Sequence, residues 1–177
     1  MKDENFYQKI KAIGWFQIIG GIVGLAFMVQ LIAQLSTING SEFLIVLTGL
    51  GLFSFSVYAG SLMVKKGNEK RAIILSIVNQ SLQIFQFKIL GFGLTYSTLL
   101  SFTIGYKPPE IEFHFDAFML FSGTILSGDE FFIFINIIPV LICGVLLSLL
   151  DHLNSDIPEI DALEEVKSMN ENLTNRL

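Results

Sequence analysis

The chain of 177 residues is 52% hydrophobic and 15% charged, with a mean hydropathy of +0.63, whereas an ordinary soluble domain carries roughly 25% charged residues. Its formal charge of −5 arises from Asp151 onward, where seven acids face Lys167 and Arg176; residues 1–150 carry nine acids and nine bases. That balance excludes a basic nucleic-acid-binding surface. The lone Cys143 excludes an internal disulfide. Because the apolar residues fall in blocks, the composition points to a membrane protein.

Residues 1–11 form a short polar N-terminus with Lys2, Lys9 and Lys11. The first apolar segment, 12–35, is longer than the roughly 30 Å hydrocarbon core needs at 1.5 Å of rise per residue, so it is predicted to span as a signal anchor. Trp15 and Phe16 stand where an interfacial aromatic belt would place them. Gly20 and Gly24 form a GxxxG pair that would let a neighbouring helix approach closely. A turn at Asn39-Gly40, with Ser41 as N-cap and Glu42 at the positive helix end, precedes a second span over 43–64. Its small-residue face is Gly49, Ser56 and Gly60.

Lys65, Lys66, Lys70 and Arg71 crowd one short loop and are the topology determinants. The positive-inside rule puts that loop in the cytoplasm. With both termini on the same side, nine bases lie inside against Lys107 alone on the outer loops.

A third span is predicted over 72–94. Helical spacing brings Ser76, Asn79, Gln80, Gln83 and Gln86 onto one face. An unpartnered amide in hydrocarbon costs roughly 2–7 kcal/mol, so this polar stripe must face protein or water. Its candidate partners are Gln17, Gln30 and Gln34, then Ser54, Ser56 and Ser61, and Asn136. Lys88 would end the helix as an anchor at the outer interface.

The segment 95–130 changes period. Tyr96, Thr98, Leu100, Phe102 and Ile104 alternate with Ser97, Leu99, Ser101 and Thr103; Ile111, Phe113 and Phe115 alternate with Glu112, His114 and Asp116. Two strands joined through Tyr106-Lys107-Pro108-Pro109-Glu110 follow from that pattern. Residues 118–126 read either as a third strand or as a re-entrant turn. Glu112, His114 and Asp116 share a strand face and could chelate a metal or exchange protons, but a solvated face has the same pattern. The fourth span, 131–150, contains Asn136 and Pro139, where a kink is expected. Residues 151–177 form an acidic cytoplasmic tail with a short amphipathic helix.

These readings combine into an all-α membrane protein: a four-transmembrane-helix bundle with a small extracytoplasmic β-hairpin between helices 3 and 4, both termini cytoplasmic, in the plasma or inner membrane. No carboxylate lies inside a span, and no nucleotide, hydrolase or metalloprotease motif is present. The expectation is a non-enzymatic interaction or assembly component without cofactor or metal. Its partners are the lipid bilayer and a second copy or another membrane protein, not nucleic acid. The alternative is a small channel or solute-conducting subunit lined by the stripe.

Overall fold

The computed structural model describes residues 4–34, 39–65, 67–90, 92–117, 120–125 and 131–154. Lys66 and the acidic tail from 155 onward, with its expected amphipathic helix, lie outside the described residues. Two long helices, α1 (Glu4–Gln34) and α2 (Gly40–Val64), run antiparallel. Each buries one stripe at intervals of three or four residues: Phe6, Ile10, Gly14, Gln17, Gly21, Gly24 and Met28 on α1, and Val46, Gly49, Phe53, Ser56, Gly60 and Met63 on α2. Small residues bring the two backbones together, and a Cβ on Gly14 would stand 2.9 Å from the Gly60 carbonyl oxygen. The cap of α2 is Asn39 rather than Ser41. Its Oδ1 accepts from the Glu42 N–H at 2.8 Å, while its own N–H donates to the Glu42 carboxylate at 3.0 Å.

Beyond α2 the structure departs from an all-helical bundle. The third helix, α3 (Glu69–Ser81), has 13 residues, about 20 Å, and stops well short of a span. Past Leu82 the chain turns into strand β1 (Phe85–Ile89). There follow β2 (Phe92–Ser97), β3 (Leu100–Lys107), β4 (Glu110–Ala117), β5 (Leu120–Thr124) and β6 (Phe132–Asn136), and β6 runs directly into α4 (Ile137–Asn154). All six strands join one antiparallel sheet in the order β4-β3-β6-β1-β2-β5. The expected small hairpin is thus the β3–β4 part of a larger sheet. Of the two readings of 118–126, residues 120–124 take the strand. Among the described residues three helices, α1, α2 and α4, are long and apolar enough to cross a membrane.

The expected third span is helical only to Ser81, and the fourth begins as a helix at Ile137 rather than at 131. Summed hydropathy registers apolar bulk and ignores period, yet Phe85, Phe87 and Ile89 alternate with Gln86 and Lys88, which is strand periodicity. Pro139, likewise, introduces no mid-helix kink. It lies in the first turn of α4, where no intrahelical donor is needed. Asn136 caps that turn by accepting from the Ile138 N–H at 3.3 Å.

Register gives the sheet two unlike faces. One row crosses all six strands as Gly123, Leu94, Phe87, Ile133, Tyr106 and Ile111. The opposite face carries Ser122, Thr95, Gln86, Phe134, Gly105 and Glu112, with Asn136, Thr103 and His114 in the next row. The sheet rolls toward this polar face. Only Thr98 and Leu99 separate β2 from β3, a reach of about 11 Å at most. Strands three apart in a flat sheet would be roughly 14 Å from each other. The corner is a tight turn on Leu99, whose φ is +61°, with the Leu100 N–H donating to the Thr98 carbonyl at 2.8 Å.

Two apolar cores hold these parts together. Phe6, Ile10, Met63, Ala72, Ile73, Leu146, Leu149 and Leu153 join all four helices at one end. At the other, Met28, Val46 and Phe53 of α1 and α2 meet Tyr96 of β2 and Phe121 of β5.

Candidate functional site

Between the two cores lies a layer of polar side chains shut away from solvent. Gln17, Ser56, Ser76, Asn79, Gln80 and Asn136 are each 0% exposed, and Gln83 and Gln86 are nearly so. Helical spacing on α1, α2 and α3 delivers Gln17, Ser56, Ser76, Asn79 and Gln80 to one level. The Ser56 hydroxyl donates to the Gln17 carbonyl at 3.1 Å, and the Ser76 hydroxyl to the Gln17 side-chain oxygen at 3.3 Å. Asn79 Nδ2 donates to Ser56 Oγ at 3.2 Å and thereby ties α3 to α2.

The same layer fastens the helices to the sheet. The Tyr96 hydroxyl lies 3.1 Å from the Leu52 carbonyl and 3.4 Å from Asn79 Oδ1, and donates toward both. Gln83 sits in the turn after α3, not on a helix. Its Oε1 accepts both from the Thr98 N–H at 3.0 Å and from the Thr98 hydroxyl at 2.9 Å. One amide oxygen therefore pins the strained β2–β3 corner. Asn136 Oδ1 accepts from the Phe102 N–H at 3.1 Å as well as from its own helix.

Of the partners expected for the stripe, Gln17 and Ser56 meet it, whereas Gln30, Gln34 and Ser54 are exposed. Ser61 bonds locally to the Tyr58 carbonyl at 2.8 Å. Asn136 sits in the layer but turns to β3. Gln86 and Lys88 are on β1, on the polar sheet face. Lys88 is half-buried, its stem against Gly93. The glycines are distributed in space. Gly24 lies under the Phe53 ring, Gly60 against the Gly14 backbone, Gly49 against Met28 and Phe121, and Gly20 against Thr98 of the sheet corner rather than a helix. Lys65 follows α2, Lys70 and Arg71 open α3, and Arg71 reaches the Tyr58 hydroxyl at 3.4 Å.

Residues that the sequence reading passed over complete the layer: Thr95, Ser97, Thr98, Ser101 and Thr103, all buried. A signal for them existed. The hydroxyls of Thr95, Ser97, Ser101 and Thr103 occupy the polar side of β2 and the first half of β3 with no charge among them, and Thr98 lies in the corner between, whereas the more open polar side of β4 carries Glu112, His114 and Asp116.

Several atoms of the layer have no hydrogen-bond partner among the described residues: Gln17 Nε2, both amide atoms of Gln80, Gln86 Nε2, Ser97 Oγ, Ser101 Oγ and Asn136 Nδ2. No family model, no curated protein and no solved structure matches the chain. The chemistry of the layer is therefore read from its own groups, which are amides, hydroxyls and one phenol. They can exchange hydrogen bonds with each other, with water or with a neutral polar solute. Outside the layer, His114 Nε2 lies 2.8 Å from the Glu112 carboxylate, half-exposed, with its ring against Phe134. Among the described residues no group of three or more His, Cys, Asp or Glu side chains comes together.

Proposed function

We propose that this protein is a multi-pass membrane protein of the plasma or inner membrane, with both termini cytoplasmic, acting as a non-enzymatic interaction or assembly component. The observation that supports it best is the enclosure of the polar layer. Gln17, Asn79, Gln83 and Asn136 each spend an amide atom on joining α1, α2, α3 and the sheet, and the layer's amides sit at 0–3% exposure. What the molecule offers outward is apolar surface, with Phe113 and Phe115 of β4 about two-thirds bare. Such surface suits lipid and a membrane-protein partner.

The orientation rests on the basic residues Lys65, at the end of α2, and Lys70 and Arg71, in the first turn of α3. Leu153 near the end of α4 shares a core with Phe6 near the start of α1, which is consistent with both ends on one side. A second reading, a small solute-conducting subunit, is favoured by the unpartnered amide and hydroxyl atoms of the layer, since a file of such groups suits water or a neutral polar solute.

Purified protein reconstituted into vesicles separates the two. The assembly role expects glycerol or urea permeation equal to that of empty vesicles, together with chemical cross-linking in native membranes into a discrete complex larger than one chain. Permeation above the empty-vesicle rate, lost in Gln80→Leu, would replace it with the conducting role. A Gly67→Cys variant should be labelled by an impermeant thiol reagent only after the cells are opened; labelling of intact cells would invert the orientation.

A further inference from the structure

We infer that the sheet lies inside the bilayer, in its outer half, with its apolar face against lipid acyl chains. This rests on the membrane-spanning reading of α1 and α2 and adds to it the partner of the sheet. Depth follows from contacts. Taking Ala12 as the inner edge of the hydrocarbon, Gly20 is about 12 Å and Met28 about 24 Å above it at 1.5 Å per residue, both within a roughly 30 Å core. A Cβ on Gly20 would meet the Thr98 side chain at 2.7 Å, and Met28 and Phe121 pack in one core. The strands β2 and β5 thus occupy the levels between those two residues. From the opposite side Phe53, about 15 Å below Phe43, stacks edge-on with Tyr96 at 5.3 Å and fixes the same depth.

Continuity carries the rest of the sheet along. Between α3 and β1 lie three residues, and β6 runs into α4 with none, so each strand prolongs a helix. β1 is hydrogen-bonded to β2 on one side and to β6 on the other. The polarity of the two faces agrees. Where α2 covers the sheet, Phe121 and Tyr96 are buried; where no described element covers it, Phe85, Phe102 and Ile135 stay bare at 58%, 37% and 41%. Bare apolar side chains on one face, with buried amides and hydroxyls on the other over β1, β2 and the start of β3 and Glu112, His114 and Asp116 on the same side of β4, match a wall between hydrocarbon and a polar interior, the alternation of a membrane barrel strand.

Tryptophan placed on the bare face tests the inference. With Trp15, the single tryptophan, replaced by Phe, Phe102→Trp and Ile135→Trp are each reconstituted as full chains in phosphatidylcholine bilayers. Blue-shifted emission, quenched by lipids brominated along the acyl chain and spared by aqueous acrylamide, is expected. Red-shifted emission quenched by acrylamide and indifferent to bromolipid would put the sheet in water and overturn the inference. It would leave the spans α1, α2 and α4 and the assembly role standing. If a variant does not fold, hydroxyl-radical footprinting of the unaltered protein in nanodiscs decides: Phe85 and Phe102 should escape oxidation while the hairpin residue Tyr106 does not lag behind Lys107 and Glu110 at the tip. Oxidation of Phe85 and Phe102 at the level of the tip would refute it.

Discussion

Gln80 and Gln83 stand three residues apart in the same buried layer, yet they are bound to the protein in opposite ways. Gln83 spends its oxygen on two donors of Thr98 and so holds a corner where Leu99 is forced to a positive φ. Gln80 has both amide atoms unpartnered among the described residues. Removing a partner from a buried donor costs about 1–3 kcal/mol per group, so Gln83→Leu, which strands two donors, should lower stability by about 2–6 kcal/mol. Gln80→Leu removes an amide that satisfies no group among the described residues, and its effect should stay within about 1 kcal/mol of zero. Thermal unfolding of the two variants in the same detergent measures the contrast; equal losses would show that Gln80 has a partner of comparable worth.

At the scale of elements, the paired units α3–β1 and β6–α4 each change from helix to strand part-way along. The sequence made α1 and α2 legible because both are apolar over a full bilayer thickness and carry small residues every third or fourth position. It disguised the strands β1 and β6. Residues 72–94 and 131–150 have the bulk hydropathy of a span, and the alternation that betrays β1 is five residues long. The polar stripe was legible as inward-facing from its desolvation cost alone, since that argument needs no particular secondary structure. Its true neighbours were not, because the hydroxyls of β2 and β3 reach it only through a roll of the sheet that depends on distant pairing. Gly105 marks that roll: a Cβ there would overlap the Ile133 carbonyl and the Phe134 ring. Gly105→Ala should therefore cost about 1–3 kcal/mol and speed amide exchange in β3 and β6 while sparing α1 and α2, as hydrogen exchange with mass spectrometry would resolve.

Over the whole molecule, Phe53 is an apolar side chain that joins the helices to the sheet. Its ring packs on Gly24, lies 5.3 Å from Tyr96 and 5.8 Å from Phe121, and is 0% exposed. Phe53→Ala opens a cavity where no neighbour can collapse backbone into backbone, and a loss of about 3–5 kcal/mol is expected. The loss should appear as a lowered thermal midpoint, and limited proteolysis should reach the sheet before the four-helix core. With the sheet placed in the bilayer as proposed above, the change from helix to strand at Leu82 also bears on how the chain enters the membrane. A 13-residue α3 falls short of the roughly 20 apolar residues that insert as an independent helix, and β1 completes its pairing only when it meets β6. Its partner β6 begins 43 residues after β1 ends and is made later. On that placement the second half of the protein is held until β6 has been synthesised and then enters as one paired unit, which makes its biogenesis a delayed event after the insertion of α1 and α2.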